Sequence, residues 1–228
     1  MIPARPDERP LRRDAERNRQ RIVAAAAEVF GERGLDATLD DVARRAGVGV
    51  GTVYRRFPDK ESLVGELFED RINALAAAAE SACEAEDPWL GLQWYLEFLA
   101  TTMAGDLGLR QMLLFATYGT DRVAYLRERI RPVAARLVER AQAAGQLRDD
   151  VCATDIPMLA IMLATAAEYA APVQPALWRR YLALIAEGLR PSREGAAPLP
   201  VAALDPAQME QLMRTHSNRA RSRRPGPS

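Results

Sequence analysis

The chain has 228 residues, 48% of them apolar, and its 31 Lys and Arg residues are balanced by 31 Asp and Glu residues. This apolar fraction is enough to bury a core, which excludes a wholly disordered chain. Ala and Leu dominate the composition, and the alternation of β-branched residues typical of strands is almost absent, so we predict an all-α protein.

Charge is distributed unevenly along the chain. Residues 1–60 carry 13 Lys and Arg against 10 Asp and Glu, residues 61–190 carry 12 against 18, and residues 191–228 carry 6 against 3. An acidic middle between two basic ends is compatible with a module for a polyanion that is joined to a body without affinity for it.

The cysteine content and the apolar runs bear on the compartment. Cys83 and Cys152 are the only cysteines, and no secretory signal pattern opens the chain. We therefore expect two ordinary buried thiols in a cytoplasmic protein. The longest uncharged run, Ile156 to Ala167, is far shorter than the roughly 20 residues of a membrane span. We interpret it as a buried helix and expect no membrane partner.

The N-terminal region divides into an arm and a first helix. Residues 1–13 are rich in Pro, Arg and acidic residues without apolar periodicity, and we expect them to be disordered. The following stretch predicts a helix from Asp14 to Arg33, with Gly34 as its C-terminal cap. Its apolar face has helical spacing and consists of Ile22, Ala26, Val29 and Phe30.

A short second helix is predicted after Thr38. Thr38 can cap this helix, and Asp41 occupies the position that Glu usually takes in a capping box. Gly47 ends the helix. Its predicted inner face consists of Leu39, Val42, Ala43 and Ala46.

A further short helix is predicted from about Val50 to Phe57. Pro58 disfavours helical geometry at the residue before it, which closes this helix. Asp59 can then cap a longer helix, from Lys60 to about Glu84.

The remainder is predicted to be helix after helix. The predicted segments are Asp87–Thr102, Leu109–Tyr118, Asp121–Ala144, Thr154–Ala170 and Pro175–Leu189. Pro132 must either kink or split the segment that contains it. After Pro191 we expect a largely disordered tail with one short helix near residues 206–214.

The two short helices have the residues that a helix-turn-helix requires. Ala43 is the small residue where the helices cross, Gly47 supplies the turn, and Val48, Val53 and Phe57 can anchor the second helix from behind. The opposite face of that helix is then free to enter the major groove of DNA.

At this point the run from Thr38 to Leu63 resembles the DNA-binding domain of the TetR (tetracycline-repressor-like) family. Gly-Thr-Val-Tyr, Phe-Pro and Lys60 occur together and in order within it. The segment from Arg21-Ile22 through Phe30-Gly31 is similar to the family's first helix, so that the resemblance covers residues 14–70.

The resemblance implies a domain organisation. Together with the composition of the two ends, it predicts a disordered N-terminal arm (1–13), a three-helix helix-turn-helix domain (14–60), a larger helical effector-binding and dimerisation domain (61–190) and a mostly disordered basic tail (191–228). The remaining two-thirds of the chain matches the family only in helical architecture and length.

The resemblance also implies residue roles. Family phosphate contacts correspond to Thr38, Tyr54 and Lys60, the only lysine in the chain. Family residues close to bases correspond to Val50, Gly51 and Thr52. Arg56 matches a further contact position, and Arg45 and Arg55 are nearby basic candidates. Asp40 departs from the pattern, because an acid argues against a base contact from that position.

For the body, the resemblance implies a homodimer formed by the last two helices, and a cavity for a small-molecule effector. Candidate interface residues are Met158, Leu159, Met162, Leu163, Trp178, Leu182 and Ile185. Candidate cavity residues are Trp94, Phe98, Met103, Met112, Phe115 and Tyr118. In both sets, the alternative that the residues belong to the core of one protomer stays open.

These features predict a ligand-responsive regulator, in the family's usual mode a repressor, that binds a near-palindromic double-stranded operator. Such a protein would be cytoplasmic and nucleoid-associated. An enzyme is disfavoured, because the only histidine, His216, lies in the tail and no nucleophile or metal-ligand spacing is present. We therefore predict no catalytic residue, metal or cofactor.

The alternative is a sequence-indifferent architectural DNA-binding protein, which the zero net charge and the acidic body disfavour. Nonspecific phosphate contacts or simple solvation remain open for the tail arginines, Arg214, Arg219, Arg221, Arg223 and Arg224.

Overall fold

The computed structural model describes residues 8–114, 121–191, 198–209 and 211–212. Within these ranges the regular elements are helices and no strand occurs, which confirms the all-α prediction. A short 3-10 turn, Gly34–Asp36, follows the first helix. The α-helices are α1 (Glu8–Arg33), α2 (Leu39–Ala46), α3 (Val50–Arg56), α4 (Lys60–Cys83), α5 (Pro88–Ala104), α6 (Leu107–Leu114), α7 (Asp121–Ala143), α8 (Asp155–Ala170) and α9 (Leu177–Leu189).

The main boundary error lies at the start of α1. The helix begins at Glu8 rather than at Asp14, so the expected disorder of residues 8–13 is wrong. Apolar periodicity starts only at Ile22, and a polar extension of the same helix leaves no such signal. The first part of the predicted arm, residues 1–7, lies outside the described residues.

Differences in the C-terminal half are smaller. α7 runs through Pro132 as one helix, so the chain is not split there. The predicted helix at Leu109–Tyr118 is observed as Leu107–Leu114, and residues 115–120 lie outside the described part. In the tail, residues 206–209 and 211–212 are helical, near the predicted short helix.

Two hydrophobic clusters form the core, and α4 belongs to both. The N-terminal cluster contains side chains of α1, α2, α3 and the first half of α4, up to Ile72. The body cluster begins at Leu75 and continues through α5, α7, α8 and α9. One continuous helix therefore joins the helix-turn-helix to the body.

α6 brings the body into direct contact with α1. Leu109 of α6 is fully buried in the N-terminal cluster. A Cβ added to Gly108 would lie 2.8 Å from the carbonyl oxygen of Phe30, so the two backbones approach as closely as glycine allows.

The two cysteines differ in exposure. Cys83 is half-buried and Cys152 is exposed, so the expectation of two buried thiols is wrong for Cys152. Among the described helices, none has the length and apolar composition needed to cross a bilayer.

Candidate DNA-binding site

A reciprocal set of hydrogen bonds fixes the start of α2. The Asp41 N–H donates to Thr38 Oγ1 (3.1 Å), while the Thr38 N–H and hydroxyl donate to Asp41 Oδ2 (2.9 and 2.8 Å). This is the predicted capping box, with Asp at the third helical position. The bond from the Thr38 amide, followed by those from its hydroxyl and from Arg33, holds the pKa of Asp41 well below its usual range. Thr38 is exposed at this helix end, where a phosphate can bind.

Gly47 forms the turn between α2 and α3. Its φ of 64° lies in the left-handed region, and its N–H donates to carbonyls of the last turn of α2. The Val48 N–H donates to the Ala43 carbonyl (3.1 Å), which completes the helix end. Ala43 is buried at the helix crossing, as predicted.

The two faces of α3 differ sharply in exposure. Val53 is fully buried, and Phe57, immediately after the helix, is also buried. By contrast, Tyr54 is 47% exposed, and Val50 at the first position of the helix is 42% exposed. A Cβ added to Gly51 would meet nothing within 4 Å. α3 therefore presents an open outer surface supported by apolar anchors, as a recognition helix requires.

Arg55 and Thr52 are linked on the outer surface of α3. Arg55 Nε donates to the Gly51 carbonyl (3.2 Å), and its Nη2 donates to Thr52 Oγ1 (3.2 Å). The Thr52 hydroxyl and the Arg55 guanidinium are thus held together in the free chain. Arg56 is exposed next to them.

Arg45 and Lys60 contact other parts of the N-terminal domain. Arg45 forms ion pairs with Glu28 (2.6 Å) and Glu32 (3.8 Å) of α1, all on exposed side chains. Lys60 Nζ donates to the Leu35 carbonyl and lies 5.5 Å from the centre of the Phe30 ring. A phosphate contact from either side chain would require it to exchange these internal partners.

The junction between the body and α1 contains polar residues that no sequence motif marks. Gln111 of α6 accepts a hydrogen bond from the buried Leu35 N–H (2.6 Å). Asp106 caps α6 by accepting from the Leu109 N–H (2.8 Å), and it forms an ion pair with Arg71 of α4. Desolvation lowers the pKa of Arg71. A helical pattern alone does not show which polar side chain will meet another element.

Three of the six predicted cavity residues have described side chains, namely Trp94, Phe98 and Met103. Trp94 is exposed and stacks on Phe98, with ring centres 5.5 Å apart, whereas Met103 is buried in the body core. The Met112 side chain, Phe115 and Tyr118 lie outside the described residues. Two open clefts of about 580 and 470 Å³ lie near the end of α4, and neither is lined by Trp94, Phe98 or Met103.

The predicted interface residues fall into two groups. Leu163, Trp178 and Leu182 are buried in the core of the single chain, so their assignment to an interface is corrected. They face the neighbouring helices of the body and leave little surface for a second copy. Leu159 and Ile185 are half-buried, while Met158 and Met162 are exposed. Exposed apolar residues of the same region that were not predicted are Tyr169, Val173, Tyr181 and Leu184.

Family descriptions match both parts of the chain. "Bacterial regulatory proteins, tetR family" matches residues 22–67, which include α2 and α3. "Transcriptional regulator SbtR-like, C-terminal domain" matches residues 87–191. The first match covers the helix-turn-helix, and the second covers most of the body.

Proteins similar to this chain are described as TetR or HTH-type transcriptional regulators. A TetR transcription regulatory protein from Mycobacterium vanbaalenii is 33% identical over 79% of this chain and 99% of its own, with a TM-score of 0.50. A TetR transcriptional regulator from Streptomyces coelicolor is 32% identical over 77% and 99%, with a TM-score of 0.51. An HTH-type transcriptional regulator of Staphylococcus aureus is 43% identical over 54 residues, so the match spans only 29% of that curated relative. The chain belongs to the TetR family of bacterial transcriptional regulators.

Proposed function

We propose that this protein is a ligand-responsive transcriptional repressor that binds a near-palindromic operator as a homodimer. The observation that carries the proposal is the outer surface of α3, open to a DNA groove and supported from behind by Val53 and Phe57. Membership of a family of DNA-binding regulators supports the same reading.

The proposed DNA surface combines phosphate and base contacts. Thr38 and Tyr54 lie at its edges as phosphate contacts, and Thr52 offers a hydroxyl or a methyl group to a base edge. Arg56 can add a base or phosphate contact. The remaining members are Val50 and Gly51, which line the open surface, and Arg45, Arg55 and Lys60, which exchange their internal partners on binding.

We place the dimer interface on the exposed apolar surface of α8 and α9. Met158 and Met162 lie one turn apart on α8, and Tyr181 and Leu184 are exposed on α9. Leu159 and Ile185 are half-buried at its edge. A two-fold axis through this surface would bury these residues and would present two α3 helices to successive turns of DNA.

We propose that the body binds a small apolar or amphipathic effector. An effector can change operator affinity only by binding one dimer state more tightly than another. The contact of α6 with α1 supplies a physical link between the body and the DNA-binding unit. We place the division between the two units inside α4, between Ile72 and Leu75, where the hydrophobic clusters separate.

Selection of bound sequences from random DNA tests this function. We expect enrichment of a two-fold symmetric sequence with half-sites about one helical turn apart, or a multiple of this. Enrichment of no sequence, together with binding that depends only on salt, would instead favour the architectural alternative.

A pair of variants ties the selection to α3. Thr52→Ala with Tyr54→Ala should abolish the enrichment, because it removes one proposed base contact, at the half-buried Thr52, and one proposed phosphate contact, at the exposed Tyr54. The control pair is Leu90→Ala with Thr101→Ala, exposed residues of α5. Undiminished selectivity of a folded Thr52/Tyr54 variant contradicts the proposed recognition surface.

The effector is tested by measuring operator affinity in the presence of a broad panel of compounds. If no compound changes the affinity, the proposed ligand response is contradicted.

A further inference from the structure

Arg55 occupies the centre of the outer surface of α3. The buried anchor within this helix is Val53, and each residue of an α-helix turns the chain by about 100°. Gly51 and Arg55 each lie two residues from Val53, so both are turned by about 200° from it and lie on the opposite side of the helix. Arg55 is exposed, and Gly51 adds no side chain to this surface. The surface that α3 offers to a DNA groove is therefore centred on one arginine.

Two hydrogen bonds hold the Arg55 guanidinium against its own helix. Nε donates to the Gly51 carbonyl and Nη2 donates to Thr52 Oγ1, both at 3.2 Å. These acceptors lie about one turn back towards the start of α3, and the first residues of a recognition helix are those that contact base edges. The free chain thus holds this guanidinium in a defined place, next to the side chain of Thr52.

The partners of Arg55 differ in kind from those of Arg45 and Lys60. Arg45 forms its ion pairs with acids of α1, and Lys60 donates to the Leu35 carbonyl. Each of these contacts joins two segments of the N-terminal domain. Both acceptors of Arg55 lie within α3, so Arg55 can exchange them for DNA while the contacts between segments stay intact.

Arg56, the neighbouring cation, lies closer to the buried side of the helix. It is exposed, but it follows Val53 by three residues, which places it within about 60° of that anchor. A residue at this edge of α3 faces the backbone at the wall of a groove, whereas a residue at the centre faces the base pairs. Position favours Arg55 over Arg56 as a base contact.

A guanidinium has only hydrogen-bond donors, which restricts the base that it can read. In the major groove, guanine presents two neighbouring acceptors, N7 and O6. Adenine presents one acceptor beside a donor, and cytosine presents a donor. An arginine side chain can donate to both guanine acceptors at once. Such a bidentate contact discriminates against another base pair by about 5- to 150-fold.

We propose that Arg55 is a specificity-determining residue, which reads one guanine in each operator half-site through N7 and O6. Its central position on α3 and its place beside Thr52 carry the inference. The inference rests on the proposed operator binding and extends it by naming the base at one position of the half-site.

Affinity measurements on the selected operator test the proposal. The selection with wild-type protein should yield a preferred guanine in each half-site. Replacing this G·C pair by A·T in one half-site should weaken wild-type binding by about 5- to 150-fold. Arg55→Ala should bind the two duplexes with equal affinity, because the side chain that distinguishes them is gone.

A modified base tests direct contact with the guanine. 7-Deazaguanine lacks the N7 acceptor but still pairs with cytosine. In place of the preferred guanine, it should weaken binding of the wild-type protein and leave that of Arg55→Ala unchanged. A residue that only shapes α3 would not make binding sensitive to one ring nitrogen of the DNA.

Arg56→Ala is the matched control, because it removes the same charge from the next residue of α3. It should weaken binding to the G·C and A·T duplexes by the same factor, so that the preference for guanine stays at its wild-type value. Circular dichroism should show that both variants keep the helix content of the wild type.

The outcomes separate this inference from the proposed function. If the wild-type protein selects an operator and every guanine preference survives in folded Arg55→Ala, Arg55 does not read a base. Loss of the preference in Arg56→Ala alone, or full wild-type affinity for the 7-deazaguanine duplex, would also overturn the inference. A wild-type protein that selects no sequence overturns the proposed function, and this inference with it.

Discussion

Gly47 and Gly51 of the helix-turn-helix differ in why a side chain is absent there. Gly47 has a φ of 64°, where a Cβ is unfavourable, and an added Cβ would also crowd Arg21. Gly51 lies inside α3, and a Cβ there would enter open space. The absence of a side chain is thus needed for the fold at Gly47, whereas at Gly51 it leaves the surface of α3 open.

We expect Gly47→Ala and Gly51→Ala to have opposite effects on stability. Gly47→Ala should lower the free energy of unfolding by about 1–2 kcal/mol, the cost of a left-handed conformation with a Cβ. Gly51→Ala should raise it by about 0.5–1 kcal/mol, because alanine is favoured over glycine within a helix. It should nevertheless weaken operator binding, because the new methyl group occupies the outer surface of α3. Urea unfolding and fluorescence anisotropy measure the two quantities, and full operator affinity of Gly51→Ala would show that DNA does not approach this position closely.

Asp41 makes the stability of the N-terminal domain depend on pH. The pKa of Asp41 is lower in the folded chain than its ordinary value of 3.8. Its stabilising contribution is therefore complete above that ordinary value and is lost as the pH falls through the lower, folded-state pKa. We expect Asp41→Asn to cost about 1 kcal/mol at pH 7 and progressively less below pH 3.8.

Asp40→Asn is the matched control, because Asp40 is an exposed acid in the same turn of α2. Urea unfolding of both variants between pH 2.5 and about 7 covers the range in which carboxylates titrate. A difference between wild type and Asp41→Asn that is constant over this range would contradict the role of the ionised carboxylate.

At the scale of elements, α2 and α3 were predictable because local chemistry fixes their ends. Thr38 with Asp41, Gly47 and Pro58 each act on the backbone within a few residues, and the observed ends follow them closely. The start of α1 was not predictable in the same way. Its polar extension has no apolar period, and the ion pair of Arg19 with Glu66 connects two segments that are distant in sequence.

The junction of α6 with α1 can be tested at one amide. Gln111→Leu would leave the Leu35 N–H buried without its acceptor, which we expect to cost about 1–3 kcal/mol. Hydrogen exchange should accelerate at the Leu35 amide in particular. Gln20→Leu serves as the control on exposed helical surface. Unchanged protection of the Leu35 amide in Gln111→Leu would mean that the hydrogen bond does not hold α6 against α1.

At the scale of the whole molecule, periodicity predicted the body helices but not their partners. Leu163, Trp178 and Leu182 have the same spacing whether they face a neighbouring helix or a second copy. Only the packing of α8 and α9 within one chain shows that these three are core residues and that Met162 is exposed. The same ambiguity applies to the predicted cavity residues, because helical spacing alone did not show that Trp94 is exposed and Met103 is buried.

Dimerisation can be tested on the exposed surface of α8 and α9. Met162 is 58% exposed and Leu184 is 59% exposed, so substitution should not disturb the core of one chain. We expect Met162→Glu with Leu184→Glu to yield monomers, because paired copies would bring like charges together in an apolar interface. Sedimentation velocity measures the mass, and circular dichroism should show unchanged helix content.

The control for dimerisation is Leu90→Glu with Trp94→Glu, on the exposed side of α5. These changes add the same charge to another apolar surface and should leave the dimer intact. If the Met162/Leu184 variant still formed dimers at micromolar concentration, the interface would lie outside this surface of α8 and α9. If the control variant alone became monomeric, α5 would be the interface.

The continuity of α4 has a consequence for how the protein melts. Ile72 and Leu75 lie less than one turn apart, yet they belong to different hydrophobic clusters. Loss of either cluster therefore removes support from a helix that the other one needs. Calorimetry should accordingly record a single heat-absorption peak, with the N-terminal and C-terminal parts denaturing as one cooperative unit instead of as two independently melting ones.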